Sequence, residues 1–469
     1  MTTALNDLLE KWAETSPDDL QPEQAYDLAF RLGDFAPYLL ADKVLEKATQ
    51  HSIRLLGNSS PPFLRRRISL QEALPPGSCP ILVANRSPER CRLVRPGFVF
   101  PVRWVGAREH DRRLPKSLHE TADKVRAEVA KYLEAINKDS SPAAAGRRPV
   151  EEYFLRPEPP GLLTNVDTEA VCWDFQSAWA TLVAGLLLAY WNATPRPGIV
   201  ATGARGEDKV AKVDCVEAKV QAAIDFGVEV LFVPDEQHED FKEVANSLGA
   251  QQLKVRKFGS QPGSCRKLLG LYLDELQVPP GKDAPQEDRA RYYWLLQDPR
   301  KAADYYQENI LPEVAELLRR KLEDCSAQIS HVVLSLSQSP QLAELVAFAT
   351  RPQSILVFTN ENIEKYEEEF DRFVKNHLPS TKVIKANVSV GSSWDELRDC
   401  YSRSIKNFLG SAPPNSVLVD LTAGKKIMSL ACLEACPPGA WLLCIESSML
   451  DGRIRPFTEK FHILQKRTA

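Results

Sequence analysis

The C-terminal part of the chain alternates short apolar segments with helical segments, and this alternation restricts the possible folds more than any other feature. Segments of nearly unbroken apolar character are predicted strands at 332–336, 355–358, 382–386, 417–421 and 441–445. Helical patterns fill each gap between them. Apolar strands that are joined by helices form parallel sheets buried on both faces. The sequence therefore predicts a Rossmann-like parallel-sheet domain over residues 329–469.

The preceding residues indicate that this is an α/β multidomain chain. Residues 1–60 carry apolar side chains at helical spacing, and residues 61–277 are predicted to form a second domain with a dense α/β core at 167–253. Within that core we expect strands at 170–173, 198–202 and 228–233 and helices at 177–191 and 216–226. A Pro/Gly/Asp segment followed by a charged helix makes 278–328 a predicted connector between domains.

The net charge and the spacing of reactive residues exclude several classes of protein. A formal net charge of −4 argues against broad binding to long nucleic acids. The longest largely apolar run, at 178–191, is too short to cross a membrane, and the N-terminal residues lack the pattern of a secretory signal. The ten cysteines include no C-x-x-C pair, and no histidine lies in H-E-x-x-H. We therefore expect a cytoplasmic protein without a metal site.

Two residues of the core are candidates for nucleophilic catalysis. Ser177 begins a long apolar helix, where free backbone N–H groups and the helix dipole could stabilise an oxyanion, although a serine there can also serve as a simple helix cap. Lys219 lies on the same helical face as Val216 and Ala223, which predicts packing against apolar side chains. Such packing desolvates an amine and favours its basic form, whereas a lysine whose amine reaches water stays charged.

The stretch 174–234 resembles the catalytic core of the Lon peptidase family, whose members use a Ser–Lys dyad. The segment 174–178 (Asp-Phe-Gln-Ser-Ala) matches the family's Asp-x-x-Ser-Ala, and 219–223 (Lys-Val-Gln-Ala-Ala) matches its lysine helix. The turn 201–204 corresponds to a Met-Thr-Gly-Glu turn of the family. The resemblance implies four site residues: the nucleophile Ser177, the general base Lys219, the lysine's hydrogen-bond partner Thr202, and Asp174 beside the nucleophile.

The sequence departs from the family pattern at two places. Phe175-Gln176 replaces a Gly-Pro ahead of the nucleophile, and Asp214-Cys215 replaces a Gly-Gly ahead of the lysine helix. The chain also contains no G-x-x-x-x-G-K-[ST] motif, so the resemblance implies an ATP-independent serine endopeptidase that cuts exposed segments of specific partners. A catalytically inactive binding scaffold with the same fold is the alternative.

Three predicted strands of the C-terminal domain end in polar residues. In open parallel sheets, ligands bind beyond these carboxyl ends. Small residues and two lysines at the start of a helix form a cradle for anions, although such a loop can also simply cap its helix. The candidate ligand-binding residues are Ser335, Ser337, Gln338, Ser339, Thr359, Asn360, Thr422, Ala423, Gly424, Lys425 and Lys426.

Residues 329–448 resemble the CARF family, the ligand-sensing domains of type III CRISPR ancillary effectors. The most specific match is the segment 421–429 (Leu-Thr-Ala-Gly-Lys-Lys-Ile-Met-Ser), in which Ala423 replaces a usual glycine and Lys425 a usual threonine. The resemblance implies that a cyclic oligoadenylate, a tetra- or hexa-adenylate, binds as an activator across a homodimer, with no other cofactor.

Together, the two resemblances imply a CRISPR-associated chain in which a Lon-like peptidase core is fused to a CARF sensor. We expect a serine protease that the ligand activates and that cleaves a specific, co-encoded protein (a toxin, effector or regulator) in antiviral defence. A ligand-controlled inactive scaffold, or a sensor that degrades its own ligand, are the alternatives. Arg372 and His377 also match the R-x-x-x-x-H of HEPN ribonucleases, but two fixed letters recur easily by chance, and we predict a surface helix.

Overall fold

The structure is a computed structural model of the chain. It describes residues 12, 14–33, 36–57, 70–72, 74–86, 92–106, 114–137, 148–158, 173, 175–207, 209–259, 265–337, 339–360, 363–389, 391–423, 426–450 and 453–466. Four predicted site residues lie outside these ranges, namely Asp174, Gln338, Gly424 and Lys425, as does most of the predicted strand at 170–173. The chain divides into two units, Met1–Val278 and Pro279–Ala469.

The first unit mixes helices with small sheets. Its helices are α1 (Pro22–Leu32), α2 (Ala36–Leu39), α3 (Asp42–Leu56), α4 (Lys116–Asn137), α5 (Trp179–Trp191), α6 (Val216–Asp225), α7 (His238–Ser247), α8 (Cys265–Leu268) and α9 (Gly270–Leu276). Its strands are β1 (Ser78–Ala84), β2 (Gly97–Gly106), β3 (Tyr153–Pro157), β4 (Ile199–Ala201), β5 (Ala204–Arg205), β6 (Val210–Ala211), β7 (Val230–Val233) and β8 (Lys254–Lys257).

The N-terminal helices of this unit form because their apolar residues recur at helical spacing. Helix α1 buries Ala25 and Leu28, and α3, which packs against it, buries Val44 and Ala48. Proline at the first turn of α1 suits a helix start, since the N–H that proline lacks would have no partner there. The predicted helical character of this region is therefore confirmed over the described residues.

Two sheets support the core of the first unit. The antiparallel sheet has the order β1-β2-β3, and the parallel sheet has the order β4-β7-β8. Helix α5 packs on β1 and β2, and nearly all of its side chains are buried, as its uninterrupted apolar sequence requires. Helix α6 lies so close to β2 that a Cβ atom at Gly97 would collide with the carbonyl group of Ala218. Only glycine fits at that crossing.

The second unit is built on a six-stranded sheet, beside which β14 and β15 form a separate two-stranded sheet. The strands of the unit are β9 (His331–Ser335), β10 (Ser354–Thr359), β11 (Lys382–Asn387), β12 (Val417–Asp420), β13 (Trp441–Glu446), β14 (Met449–Leu450), β15 (Arg453–Ile454) and β16 (Lys460–Gln465). Its helices are α10 (Gln286–Leu295), α11 (Pro299–Asn309), α12 (Leu311–Asp324), α13 (Pro340–Thr350), α14 (Glu364–His377), α15 (Trp394–Leu409) and α16 (Lys426–Ala435).

The strand order in that sheet is β11-β10-β9-β12-β13-β16. The first five of these strands pair in parallel, and this is the order of a Rossmann-like sheet. Successive residues of β9 and β10 are buried on opposite faces, for example Val332 and Val333, because helices cover both sides. The predicted parallel sheet and its five strands are therefore confirmed.

Two features of the second unit differ from the sequence pattern. A sixth strand, β16, pairs antiparallel with β13 at the edge of the sheet. Its side chains alternate between half-buried and exposed, so it lacks the unbroken apolar run that marks the other strands. The region 278–328, predicted as a connector, contributes helices α10, α11 and α12 to the main core of this unit. Among the helices that the structure describes, none is long and apolar enough to span a membrane.

Candidate functional sites

Ser177 lies in a short 3-10 turn, Gln176–Ala178, immediately before α5. Aromatic residues fix the chain ahead of it, since Trp173 packs edge-on against Phe98 and Phe175 packs edge-on against Phe100, with ring centroids 5.0 and 5.7 Å apart. The serine itself is 5% exposed. The Ser177 hydroxyl therefore lies at the N-terminal end of an apolar helix, and buried aromatic rings position the segment before it.

The turn after β4 lies directly against the Ser177 turn. The Gly203 N–H donates to the Ser177 carbonyl at 2.9 Å, and the Ala180 N–H donates to the Gly203 carbonyl at 3.2 Å. A Cβ atom at position 203 would collide with the Val210 side chain, so only glycine allows this close approach. Thr202, one residue earlier, is fully buried. The structure thus brings the two predicted site residues Ser177 and Thr202 onto neighbouring, hydrogen-bonded segments.

The hydroxyl group of Thr202 has an unusual environment. Its Oγ1 atom is buried and makes no hydrogen bond within the part of the chain that the structure describes. A hydrogen bond to this atom from the Lys219 amine is accordingly not formed in this structure. Buried hydroxyls usually have a partner, although those of Ser52 and Tyr306 also lack one among the described residues. Thr202 Oγ1 is therefore an acceptor that remains available at the site.

Lys219 lies on α6 and is 4% exposed, as the apolar pattern of this helix predicts. The helix begins at a fixed point, because the side-chain amide of Gln237 exchanges two hydrogen bonds with the backbone of Val213, at 2.7 and 3.0 Å. Cys215 then adopts a left-handed backbone conformation, with φ of 55°, as the residue before the helix. This is the position where the Lon family has glycine, which adopts such a conformation without strain.

The segments ahead of Ser177 and ahead of Lys219 both reach the end of β1. Asn85, the residue after β1, forms a β-bridge with Trp173. The next residue, Arg86, forms an ion pair with Asp214, with a distance of 2.7 Å from Nη2 to Oδ2. One strand end thus contacts both lead-in segments. General-base activation of a hydroxyl requires an uncharged amine within hydrogen-bond reach of it.

In the second unit, predicted ligand residues lie at the carboxyl ends of parallel strands. Ser335 ends β9, and its Oγ lies 3.3 Å from the Tyr401 Oη in a hydrogen bond. Thr359 ends β10 and donates to the Asn387 side chain at 2.6 Å. Asn360 follows it and is half-buried. These polar side chains therefore share one edge of the sheet, as the sequence predicts.

The loops beyond these strands show two further arrangements. The N–H of Ser339, the residue before α13, donates to Ser337 Oγ at 3.2 Å. After β12, Ala423 is buried, whereas Lys426 is exposed in the first turn of α16. A cationic side chain at a helix start, where the helix dipole is positive, is an arrangement that attracts anions.

Asp420 is a residue of this second site that the sequence patterns did not single out. Its carboxylate accepts hydrogen bonds from the N–H and the hydroxyl of Thr422, whose oxygen in turn accepts from the Ile445 N–H at 2.8 Å. Burial raises the pKa of Asp420 to about 6. The signal in the sequence was an acidic residue closing an apolar strand, two residues before a threonine. Asp420 thereby fixes the start of the candidate anion loop.

Two other predictions concern residues outside both sites. Arg372 and His377 are exposed on α14, which confirms the predicted surface helix. Within the described ranges, no three Cys, His, Asp or Glu side chains come together in a way that could hold a metal ion.

The chain is similar to solved structures over part of its length. No protein-family model and no curated protein matches the chain. Among solved structures, it is similar to Can2 from Sulfobacillus thermosulfidooxidans in complex with cyclic tetra-adenylate, with a TM-score of 0.23 and 17% identity over 27% of this chain and 34% of that one. It is also similar to protein VC1899 from Vibrio cholerae, with a TM-score of 0.21 and 15% identity over 25% and 30% of the two chains. The match spans about a third of either protein, and a likeness of this extent does not establish a shared function.

Proposed function

We propose that the chain is a peptidase of type III CRISPR defence that a cyclic oligoadenylate switches on. The first unit would cut a specific partner protein, and the second unit would bind the ligand across a homodimer. The observation that carries the peptidase proposal is the burial of Lys219. The segment that precedes its helix contacts the end of β1, and so does the segment that precedes Ser177.

The proposed reaction has two steps. Ser177 Oγ attacks the scissile carbonyl while the neutral amine of Lys219 takes its proton, and the resulting ammonium then gives that proton to the leaving amine. Water attacks the acyl-enzyme in the second step, with its proton passing to the same amine, and the ammonium then returns that proton to Ser177 Oγ as the acyl–oxygen bond breaks. Burial supports this role because an apolar environment disfavours a charged ammonium group. The free acceptor Thr202 Oγ1 would orient the amine by a hydrogen bond, and Asp174 would shape the site beside the nucleophile.

The proposal for the second unit depends on the polar strand ends. A cyclic oligoadenylate carries a ring of phosphates, and the start of α16 offers backbone N–H groups beside the exposed ammonium of Lys426. A ring with two-fold symmetry matches two copies of one site that are related by a two-fold axis. Binding would activate the peptidase only if the ligand has a higher affinity for the active state than for the inactive state.

The test is a cleavage assay on the full chain. It is incubated with each co-encoded protein, with and without cyclic tetra-adenylate or hexa-adenylate, and the products are identified by mass spectrometry. We expect cleavage only with one of the ligands and none in Ser177→Ala. Cleavage that persists in Ser177→Ala, or that ignores the ligand, would contradict the proposal. Chromatography of the nucleotide in the same reactions tests whether the sensor degrades its own ligand.

A second candidate function is a ligand-controlled scaffold without catalysis. The left-handed conformation of Cys215 favours it, since a residue with a side chain is strained there and could displace the lysine helix from its active position. Reaction of Ser177 with a fluorophosphonate probe separates the two functions. A scaffold leaves Ser177 unlabelled with every ligand, whereas a peptidase is labelled in the presence of its activator.

A further inference from the structure

One carboxylate of the first unit contacts the segments on both sides of the candidate peptidase site. Glu128 projects from α4, and its Oε2 accepts a hydrogen bond from the indole N–H of Trp179 at 3.0 Å. Its Oε1 pairs with the Nε of Arg205, also at 3.0 Å. The Cys265 thiol lies near the same carboxylate, and burial together with this negative charge raises the pKa of the thiol. Glu128 therefore joins three elements that are distant in the sequence.

Two of these partners flank the residues proposed to do the chemistry. Trp179 is the second residue after Ser177, and Arg205 is the third after Thr202. The Arg205 guanidinium also lies over the Trp179 ring, 5.5 Å from its centroid. Together with the backbone hydrogen bond from Gly203 to Ser177, these contacts form a clamp around the two turns. We call Glu128, Trp179 and Arg205 the turn clamp.

The turn clamp is partly buried. Trp179 is 2% exposed, whereas the side chains of Arg205 and Glu128 are 37% and 23% exposed, so the indole hydrogen bond is better shielded from water than the ion pair is. Hydrogen bonds to a charged carboxylate are stronger than neutral ones, and the flat guanidinium both stacks and donates. Arg205 also donates to the backbone carbonyl oxygens of Gly206 and Glu207, and these contacts fix the guanidinium against the same turn.

We propose that Glu128 is a positioning residue for the peptidase reaction, and that it acts by holding the Ser177 turn and the Thr202 turn at the separation that the reaction requires. The inference rests on the proposed function of the same site. Glu128 touches neither the substrate nor the reacting atoms. Its loss should therefore slow the attack of Ser177 without weakening the initial binding of a small reagent, because displacements below 1 Å reduce reaction rates far more than they reduce binding.

The test measures the labelling of Ser177 by a fluorophosphonate probe in the full chain with activator present, separated into the binding constant and the maximal rate. We expect Glu128→Ala to lower the maximal rate by about tenfold or more. Glu128→Gln should lose less, because its amide oxygen still accepts from the indole. Arg205→Lys should also lower the rate, since lysine keeps the charge but not the stacking. Asp123→Asn, which breaks an ion pair with Arg126 on the same helix, is the matched control and should leave the rate unchanged.

The outcomes separate the inference from the function on which it rests. An unlabelled wild type defeats the proposed function and the inference with it. Labelling of the wild type at Ser177, with equal maximal rates in the Glu128 variants, defeats the inference alone. So does a loss that appears only in the binding constant, or an equal loss in Asp123→Asn. Should Glu128→Ala fail to fold, the partial effect of Glu128→Gln decides the question.

Discussion

The two candidate sites differ in how their polar groups are satisfied. In the first unit, Ser177, Thr202 and Lys219 are all buried, and the Thr202 hydroxyl has no partner among the described residues. In the second unit, Thr359 pairs with Asn387 and Lys426 is exposed, although one oxygen of the buried Asp420 has no partner among the described residues. We call the first site, whose three side chains are all buried, the dry site, and the second, whose cation is exposed, the open site.

This difference corresponds to two kinds of chemistry. A lysine amine becomes uncharged near neutral pH only when burial lowers its pKa, so a peptidase site that uses lysine gains from burial and from an available acceptor. A site for a multiply charged ligand must admit that ligand from water, so its cations lie outside while its inner polar groups hold the loops in place.

The largest effect should follow the loss of the buried amine. Replacement of Lys219 by methionine keeps its apolar stem but removes the base, so the labelling rate of Ser177 should fall about a thousandfold. The matched control is Lys212→Met, which removes an exposed lysine of the same unit. An unchanged labelling rate in Lys219→Met would contradict the proposal that the buried amine of the dry site is the general base.

The second prediction concerns a buried carboxyl of the second unit. Burial raises the pKa of Glu344 on α13 to about 8, with Glu369 adding to this and Gln307 and Arg372 opposing it. Between pH 4.5 and about 8 the unfolded chain releases this proton and the folded chain keeps it, so stability falls as the pH rises. The loss from pH 5 to pH 8 should be about 3 kcal/mol.

The measurement is hydrogen exchange of each unit as a function of pH. In Glu344→Gln this dependence on pH should weaken, because glutamine keeps the acceptor for Gln307 without a proton to release. A smaller dependence should remain, since burial also raises the pKa of Asp420 to about 6 and that of Glu459 to about 7 in the same unit. Glu308→Gln, at an exposed position of α11, serves as the control and should leave the profile as in the wild type. An unchanged profile in Glu344→Gln would show that another group sets the pH dependence.

The third prediction concerns the open site. Removal of the exposed ammonium in Lys426→Ala should weaken the binding of cyclic oligoadenylate about tenfold, and the loss should shrink at high salt. Calorimetric titration with the tetra- and hexa-adenylate measures it. Lys382→Ala, at the opposite end of a parallel strand, should bind as the wild type does. Equal losses in both variants would indicate a general charge effect instead of a site.

The smallest effect compares one threonine from each site. Thr202→Val removes a hydroxyl without a partner, so it should raise the free energy of unfolding by about 1 kcal/mol while it slows labelling of Ser177. Thr359→Val removes a hydrogen-bonded hydroxyl and should lower that free energy by about 1 kcal/mol. Chemical unfolding of both variants gives the two values. The same sign in both would contradict the contrast between the sites.

Much of the fold and part of each site could be predicted from sequence because the signals are local. The apolar runs of β9, β10 and β12 arise from burial on two faces, which any fold of this class imposes on its strands. The burial of Lys219 followed in the same way from the spacing of its helix. The strand β16 escaped prediction because an antiparallel edge strand is exposed along part of its length and carries a mixed pattern.

The contacts that complete the sites could not be predicted in this way. The turn clamp joins Glu128 to Trp179 and Arg205, and no short pattern records that these three side chains meet. Likewise, the lack of a hydrogen-bond partner for the Thr202 hydroxyl among the described residues depends on which groups pack around it.

Local sequence was enough to predict most of the strands and helices and the candidate reactive residues, since periodicity and residue type act over a few neighbouring positions. Which polar groups find partners depends on how the whole chain packs. A hydrogen bond requires two atoms within about 3 Å, and for residues distant in the chain that distance is set by the packing of whole helices and sheets. The reactive or structural role of a side chain in this protein is therefore a property of the packed fold.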